Sequence, residues 1–244
     1  MTIDTTLSNA IPNELSNFAM VVGPELAQLI SRTQSCMVKM GHFAQEIIHE
    51  MLSPYEMSVD EIDSFLGHNH GGGLQRLTSY DVGYFTWKAF TQSRFYHNVG
   101  IGEFRMGDGR KVSRPDYFVV VNSREGAYLM IIEQKIGSKF DTKSVIAERD
   151  ALFTLYSMIK PHVRHVHVCP MIATTSPMSD KDITDGFKNY LPLGVIEDGV
   201  VSVVRNSTLF ETLGIPYVME DRLAKIRAEN AQYFINEVQK ISGN

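Results

Sequence analysis

The chain has 244 residues, a net charge of −5 and 43% hydrophobic residues, a composition that predicts one globular domain large enough to bury a core. No apolar run has transmembrane length, and the polar stretch Met1–Glu14 does not have the pattern of a signal peptide. The two cysteines, Cys36 and Cys169, lack paired spacing, which argues against a disulfide framework and favours a reducing cytoplasm.

The first predicted element is a long helix that begins at Pro24 and ends near Ser53-Pro54. Proline is tolerated in the first turn of a helix, and the acidic Glu25 complements the helix dipole there. Apolar residues recur along this stretch at the spacing of a helix. They are Leu26, Leu29, Ile30, Met37, Met40, Phe43, Ile47 and Met51.

The next segment, Met57–Gly109, is long for a connection, and we interpret it as an elaboration whose aromatic residues belong to the core. It contains Asp81, a candidate extra acidic ligand. It also contains His68-Asn69-His70, but no cysteine pair or second histidine pair at metal spacing accompanies these histidines, so they do not predict a zinc site.

A β-hairpin is predicted next. Its strands, Tyr117–Val121 and Tyr128–Ile132, are rich in β-branched and aromatic residues, and a polar, glycine-ending stretch suited to a turn separates them. If the loop is Ser123–Gly126, then Asn122 pairs with Ala127. In that register Asp116, before the first strand, lies directly opposite Glu133, after the second.

Charged side chains therefore converge at the open end of this hairpin. Direct antiparallel partners point to the same face, and alternation along the strand adds Lys135 to that face and turns Gln134 to the other. The charges could form a solvated cluster. However, Asp116 and Glu133 repel each other unless they are neutralised, and Mg²⁺ typically binds one or two carboxylates together with water and phosphate oxygens.

The rest of the chain predicts a helix, a strand in two parts, a loop, a short strand and a closing helix. Together with the hairpin they indicate an α/β fold with a central mixed β-sheet flanked by helices. In chain order these elements are Ser144–Ile159, Val163–Cys169 with Met171–Thr174, Pro177–Asp182, Val200–Val204 and Asp221–Ile241.

The pattern Arg114-Pro115-Asp116, followed after sixteen residues by Glu133-Gln134-Lys135, resembles the signature of the PD-(D/E)XK nuclease superfamily. The resemblance implies a restriction-endonuclease-like core. It also implies that Asp116 and Glu133 bind Mg²⁺, with Mn²⁺ as a substitute, and that Lys135 assists the attacking water or the phosphorane.

The superfamily usually adds a glutamate from a helix that precedes the hairpin. The stretch Lys39–Ile48 resembles that helix, which makes Glu46 the candidate further catalytic residue and metal ligand. Glu50, one turn later, is a competitor for this role, and His42 is another, since the viral cap-snatching endonucleases usually carry a histidine on this helix.

The compact chain resembles a type II restriction endonuclease, which implies that a homodimer cleaves duplex DNA at a twofold-symmetric site. Three alternatives stay open: a repair, junction or transposition nuclease, an RNA endonuclease of the cap-snatching type, and a catalytically silent nucleic-acid-binding protein. The negative net charge counts against a nucleic-acid partner, but basic residues around the motif form either a local binding rim or a solvated face. They are Arg105, Arg110, Lys111, Arg114, Lys135, Lys139 and Lys143.

Overall fold

The computed structural model describes residues 24–67, 82–101, 114–123, 126–136, 142–176, 178–187 and 190–242. The predictions for His68, His70 and Asp81, and those for Arg105, Arg110, Lys111 and Lys139, lie outside the described residues. By its internal contacts the chain divides into two compact units, one made of Met1–Phe43 with Asp221–Asn244 and the other of Ala44–Glu220. That the chain is a single domain stays a prediction.

Helices and strands follow the predicted order, with additional elements between the first helix and the hairpin and two additional short helices, one before and one after the last strand. Short 3₁₀ helices at Ser53–Tyr55 and Lys160–His162 follow the first and fifth helices. The elements are α1 Pro24–Leu52, α2 Val59–Gly67, β1 Val82–Thr86, α3 Trp87–Gln92, α4 Arg94–Val99, β2 Tyr117–Ser123, β3 Gly126–Ile136, α5 Thr142–Ile159, β4 Val166–Thr175, α6 Asp180–Gly186, β5 Ser202–Arg205, α7 Asn206–Thr212 and α8 Met219–Ser242.

The strands of the larger unit form a five-stranded sheet in the order β1-β2-β3-β4-β5. Strand β2 is antiparallel to both β1 and β3, whereas β3, β4 and β5 run parallel to one another. Helix α5 contacts β3 and β4, and α7 contacts β4 and β5. This mixed sheet with packed helices confirms the predicted α/β fold class.

The β2–β3 hairpin has the predicted register. Asn122 is the partner of Ala127, and the pairing continues without interruption to Tyr117 and Ile132. The ladder extends one step further, since the backbone N–H of Asp116 donates a hydrogen bond to the carbonyl of Ile132 at 3.0 Å. The open end of the hairpin therefore holds the charged residues in the expected positions along the two strands.

The segment before the hairpin contributes a strand to the central sheet, which the sequence did not reveal. Strand β1 pairs with β2 and so extends the hairpin on its outer side. Four of the described aromatic residues of this segment, Phe65, Phe85, Phe90 and Phe95, belong to the core, as predicted. The rings of Phe85 and Phe90 are buried, and both pack against the ring of Phe118, with centroids 4.9 and 4.8 Å away.

One predicted loop was wrong in its second half. Asp182 lies inside α6 because Ser179 begins that helix with a capping box. The Ser179 hydroxyl accepts a hydrogen bond from the Asp182 N–H at 3.2 Å, and the Asp182 carboxylate accepts one from the Ser179 N–H in return. These two reciprocal hydrogen bonds stabilise the first turn of this short helix.

The smaller unit contains Pro24–Phe43 of α1 and almost all of α8. In α1, Ala27 and Leu29 are buried. In α8, Leu223 is buried whereas Ile235 and Val238 are exposed. No helix in the described part of the chain is both long enough and apolar enough to span a membrane.

Candidate active site

The Asp116 carboxylate is held from two sides at the open end of the hairpin. Its Oδ2 accepts a hydrogen bond from the backbone N–H of Gln134 in β3, at 2.7 Å. Its Oδ1 accepts one from the side-chain amide of Gln45 in α1, at 2.8 Å. The carboxylate therefore has a fixed orientation beside the end of β3.

The Lys135 ammonium lies between two glutamates. Its Nζ donates hydrogen bonds to Oε1 of Glu133 at 2.7 Å and to Oε1 of Glu148 in α5 at 2.8 Å. The Glu133 side chain is 14% exposed, and those of Lys135 and Glu148 are 26% and 27% exposed. Such partly buried ion pairs are screened less by salt than ion pairs at the surface.

Gln134 points to the opposite face of the sheet, as predicted from strand alternation. Its side chain is buried, and its Oε1 accepts hydrogen bonds from the hydroxyl of Tyr117 at 3.4 Å and from Nδ2 of Asn206 at 3.1 Å. The Asn206 amide also donates to Oγ1 of Thr175 at 2.8 Å. This buried network anchors the strand position from which Glu133 and Lys135 project.

Both acids of the predicted motif have raised pKa values. Burial, together with the neighbouring Asp116 carboxylate, raises the pKa of Glu133 to about 7, although Lys135 opposes the shift. Burial also raises the pKa of Asp116, against the lowering effects of the Gln134 N–H and the Lys135 charge. Raised carboxyl pKa values of this kind often occur at functional sites.

The donor set fits a divalent cation. Among the described residues, no group of three or more histidine, cysteine, aspartate and glutamate side chains could hold a metal ion. Mg²⁺, however, commonly uses only one or two carboxylates and completes its shell with water and substrate phosphate oxygens. Asp116 and Glu133 are hard oxygen ligands of this kind, and their carboxylate oxygens have further lone pairs beyond the hydrogen bonds that they accept.

The structure gives the exposure of the three residues predicted on the first helix. Glu46, Glu50 and His42 are exposed in α1. The α1 side chain that contacts Asp116 is instead that of Gln45, which is partly buried. A role for Glu46 in metal binding stays a prediction.

Glu148 was not predicted as a site residue, although its place on the apolar stripe of α5 is a signal in the sequence. The buried residues Val145, Leu152 and Leu155 mark the face of α5 that packs on the sheet. Glu148 follows the first of them by three residues and precedes the second by four, so a charged residue occupies a position on the apolar stripe. A charge in that position requires a partner, and the partner is Lys135.

A shallow hollow opens beside the acidic residues. Glu133 and Glu148 line it together with Arg114, Pro115 and the apolar residues Ala151, Leu152 and Leu155 of α5. Arg114 is exposed at this site. The hollow therefore joins a cationic side chain, an apolar wall and the edge of the candidate metal site.

Comparison of the chain with protein-family models, with curated proteins and with solved structures finds no match. Any functional assignment therefore rests on the arrangement of Asp116, Glu133 and Lys135.

Proposed function

We propose that the protein is a Mg²⁺-dependent endonuclease of the PD-(D/E)XK type, which hydrolyses phosphodiester bonds of duplex DNA. The observation that carries this proposal is the convergence of Asp116, Glu133 and Lys135 at the open end of the β2–β3 hairpin. A solvated charge cluster would keep its carboxylates in water. Here Glu133 is largely buried and its pKa is raised to about 7, a cost that a bound divalent cation would offset.

The roles of the residues follow from their contacts. Asp116 and Glu133 would hold the metal ion, which when bound would act as a Lewis acid on the scissile phosphate. The Gln134 N–H and the Gln45 amide orient Asp116. Burial lowers the pKa of Lys135, but its hydrogen bonds to Glu133 and Glu148 raise it on balance. Lys135 would therefore act as an ammonium that stabilises the charge on the phosphorane or orients the attacking water.

We further infer a homodimeric, cytoplasmic enzyme of the type II restriction class. A twofold-symmetric protein can present two equivalent sites to the two strands of a twofold-symmetric duplex sequence. A reducing compartment is consistent with Cys169, which is a free and buried thiol. The exposed Arg114 beside the hollow would contact a backbone phosphate, as basic side chains near a cleavage site commonly do.

The test is cleavage of a plasmid and of an unrelated linear duplex in Mg²⁺, followed by sequencing of the ends. Discrete fragments with a common end sequence support a restriction endonuclease, whereas a smear indicates a nuclease without sequence preference. Single-stranded RNA in Mn²⁺, incubated in parallel, distinguishes the RNA endonuclease. Duplex binding without cleavage in either metal contradicts the proposal and favours a silent binding protein.

The matched control is Lys135→Ala against Lys181→Ala. Lys181 is exposed in α6 and lies outside the basic residues around the motif, so its loss removes the same charge without removing the amine that bonds Glu133. Only Lys135→Ala is expected to lose cleavage.

A further inference from the structure

Lys135 has two carboxylate partners, and only one of them belongs to the predicted metal site. Glu133 and Glu148 accept hydrogen bonds from the same ammonium at nearly equal lengths, 2.7 and 2.8 Å. The two partners come from different elements, since Glu133 follows the apolar core of β3 and Glu148 lies in α5. The amine is therefore tied to a helix as well as to its own strand.

Glu133 and Glu148 respond differently when a divalent cation binds. A cation on Glu133 repels the neighbouring ammonium and competes with it for the same carboxylate. Glu148 faces no such competition if Asp116 and Glu133 are the protein ligands. It can therefore keep its hydrogen bond to Lys135 while Glu133 exchanges the ammonium for the metal.

The position of Glu148 is fixed by the packing of its helix. Val145, Leu152 and Leu155, on the same face of α5, are 2%, 3% and 1% exposed. These buried neighbours hold the helix on the sheet, so the Glu148 carboxylate reaches Lys135 from a rigid element. A charge-assisted hydrogen bond from a rigid element is suited to orient a flexible lysine side chain.

We propose that Glu148 is a positioning residue that acts through Lys135: it holds the ammonium beside the reacting phosphate when Glu133 binds the metal ion. This inference rests on the proposed nuclease function and extends it by one residue. Without Glu148, Glu133 is the partner left to the ammonium, and Lys135 competes with the metal for that carboxylate. Glu148 therefore keeps Lys135 in place and also keeps Glu133 available for the metal.

The experiment measures Mg²⁺ affinity by calorimetry and single-turnover cleavage in five proteins: wild type, Glu148→Ala, Lys135→Ala, the double variant and Asp150→Ala. Asp150 is a matched control because it lies in the same helix, carries the same charge and pairs with Arg149 instead of Lys135. Melting curves in EDTA establish that each variant is folded. If Glu148→Ala does not fold, Glu148→Gln, which keeps the size of the side chain, takes its place.

We expect that Glu148→Ala weakens Mg²⁺ binding and that this effect disappears when Lys135 is also replaced by alanine. Glu148→Ala should bind Mg²⁺ roughly 10-fold more weakly and should lower the single-turnover rate constant at saturating DNA by roughly 10–100-fold. In the Lys135→Ala background, where cleavage is already lost, the same change should leave Mg²⁺ affinity where it was, because the competing ammonium is absent. Asp150→Ala should resemble the wild type.

Two results would overturn the inference. One is an equal loss of Mg²⁺ affinity from Glu148→Ala with and without Lys135, which would show that the Glu148 charge acts on the metal directly. The other is wild-type behaviour of Glu148→Ala in both assays. If the wild type itself binds Mg²⁺ but cleaves no nucleic acid, the proposed function fails. The calorimetric comparison still tells whether Glu148 acts through Lys135.

Discussion

The backbone N–H of Gln134 donates a 2.7 Å hydrogen bond to Oδ2 of Asp116. This bond ties the acid before β2 to the position between Glu133 and Lys135 in β3. The geometry of the candidate site is therefore a consequence of strand register. A slip of one residue would turn Glu133 and Lys135 to the buried face and bring Gln134 to the face of the site.

Mg²⁺ is expected to raise the melting temperature of the wild-type protein, because a ligand that binds only the folded state stabilises it. At about 100 times the dissociation constant the stabilisation is about 2.7 kcal/mol. Asp116→Asn should show a smaller upward shift because it lacks one anionic ligand. Asp150→Asn, which loses a carboxylate that pairs with Arg149, should respond like the wild type. Equal shifts in the two variants would contradict the assignment of Asp116, and thermal unfolding with and without Mg²⁺ measures them.

The stability of the metal-free protein should depend on the protonation of Glu133. Its pKa in the folded state is raised to about 7 from its ordinary value of 4.5, so between these pH values the folded state retains a proton that the unfolded state has released. The resulting stabilisation is fully present below about pH 4.5 and is lost as the pH rises through 7.

Glu133→Gln imitates the protonated carboxyl and should remove this dependence. At pH 8 in EDTA the variant is expected to be more stable than the wild type by about 1–3 kcal/mol, and near pH 4 the difference should vanish. Urea denaturation at several pH values measures the effect. A variant that is less stable than the wild type at pH 8 would show that ionised Glu133 stabilises the metal-free fold.

The positions of Asp116, Glu133 and Lys135 could be predicted because the sequence of the hairpin determines its register. A polar loop of defined length between two apolar strands fixes which residues are opposite, and alternation then fixes the faces of Glu133, Gln134 and Lys135. Contacts between distant elements could not be predicted in this way. The choice between Gln45 and Glu46 depends on how α1 is rotated about its axis, and both positions flank the apolar stripe.

The remaining differences have similar causes. Strand β1 lies in an aromatic segment whose short strand and helices lack a clear period, so its pairing with β2 was not visible. Asn206 was not predicted as a contact of Gln134, because no local sequence pattern indicates a hydrogen bond to a residue 72 positions earlier. Long-range polar pairs of this kind become visible only when the sheet order is known.

Alanine substitutions at two glycines should change the free energy of unfolding in opposite directions. A Cβ atom at Gly83 in β1 would lie 2.4 Å from Sδ of Met57 and 2.7 Å from Cγ2 of Val120. Gly83→Ala is therefore expected to destabilise the fold by about 1–3 kcal/mol. Gly41→Ala, within α1, should stabilise it by about 0.5–1 kcal/mol, because among the described residues nothing beyond the local helix backbone lies within 4 Å of the added Cβ atom. Urea denaturation measures both, and a stabilising Gly83→Ala would contradict the tight packing between β1, β2 and Met57.

The most direct test of the nuclease assignment is cleavage of duplex DNA in Mg²⁺ by the wild type, Asp116→Asn and Glu133→Gln, compared side by side. The wild type should cleave and should stop when EDTA removes the metal. Both variants should lose cleavage while they keep their fold and most of their duplex binding, because each change removes a metal ligand and leaves the buried core intact. Full activity in either variant would contradict the account and return the charges at the end of the hairpin to the status of a surface cluster.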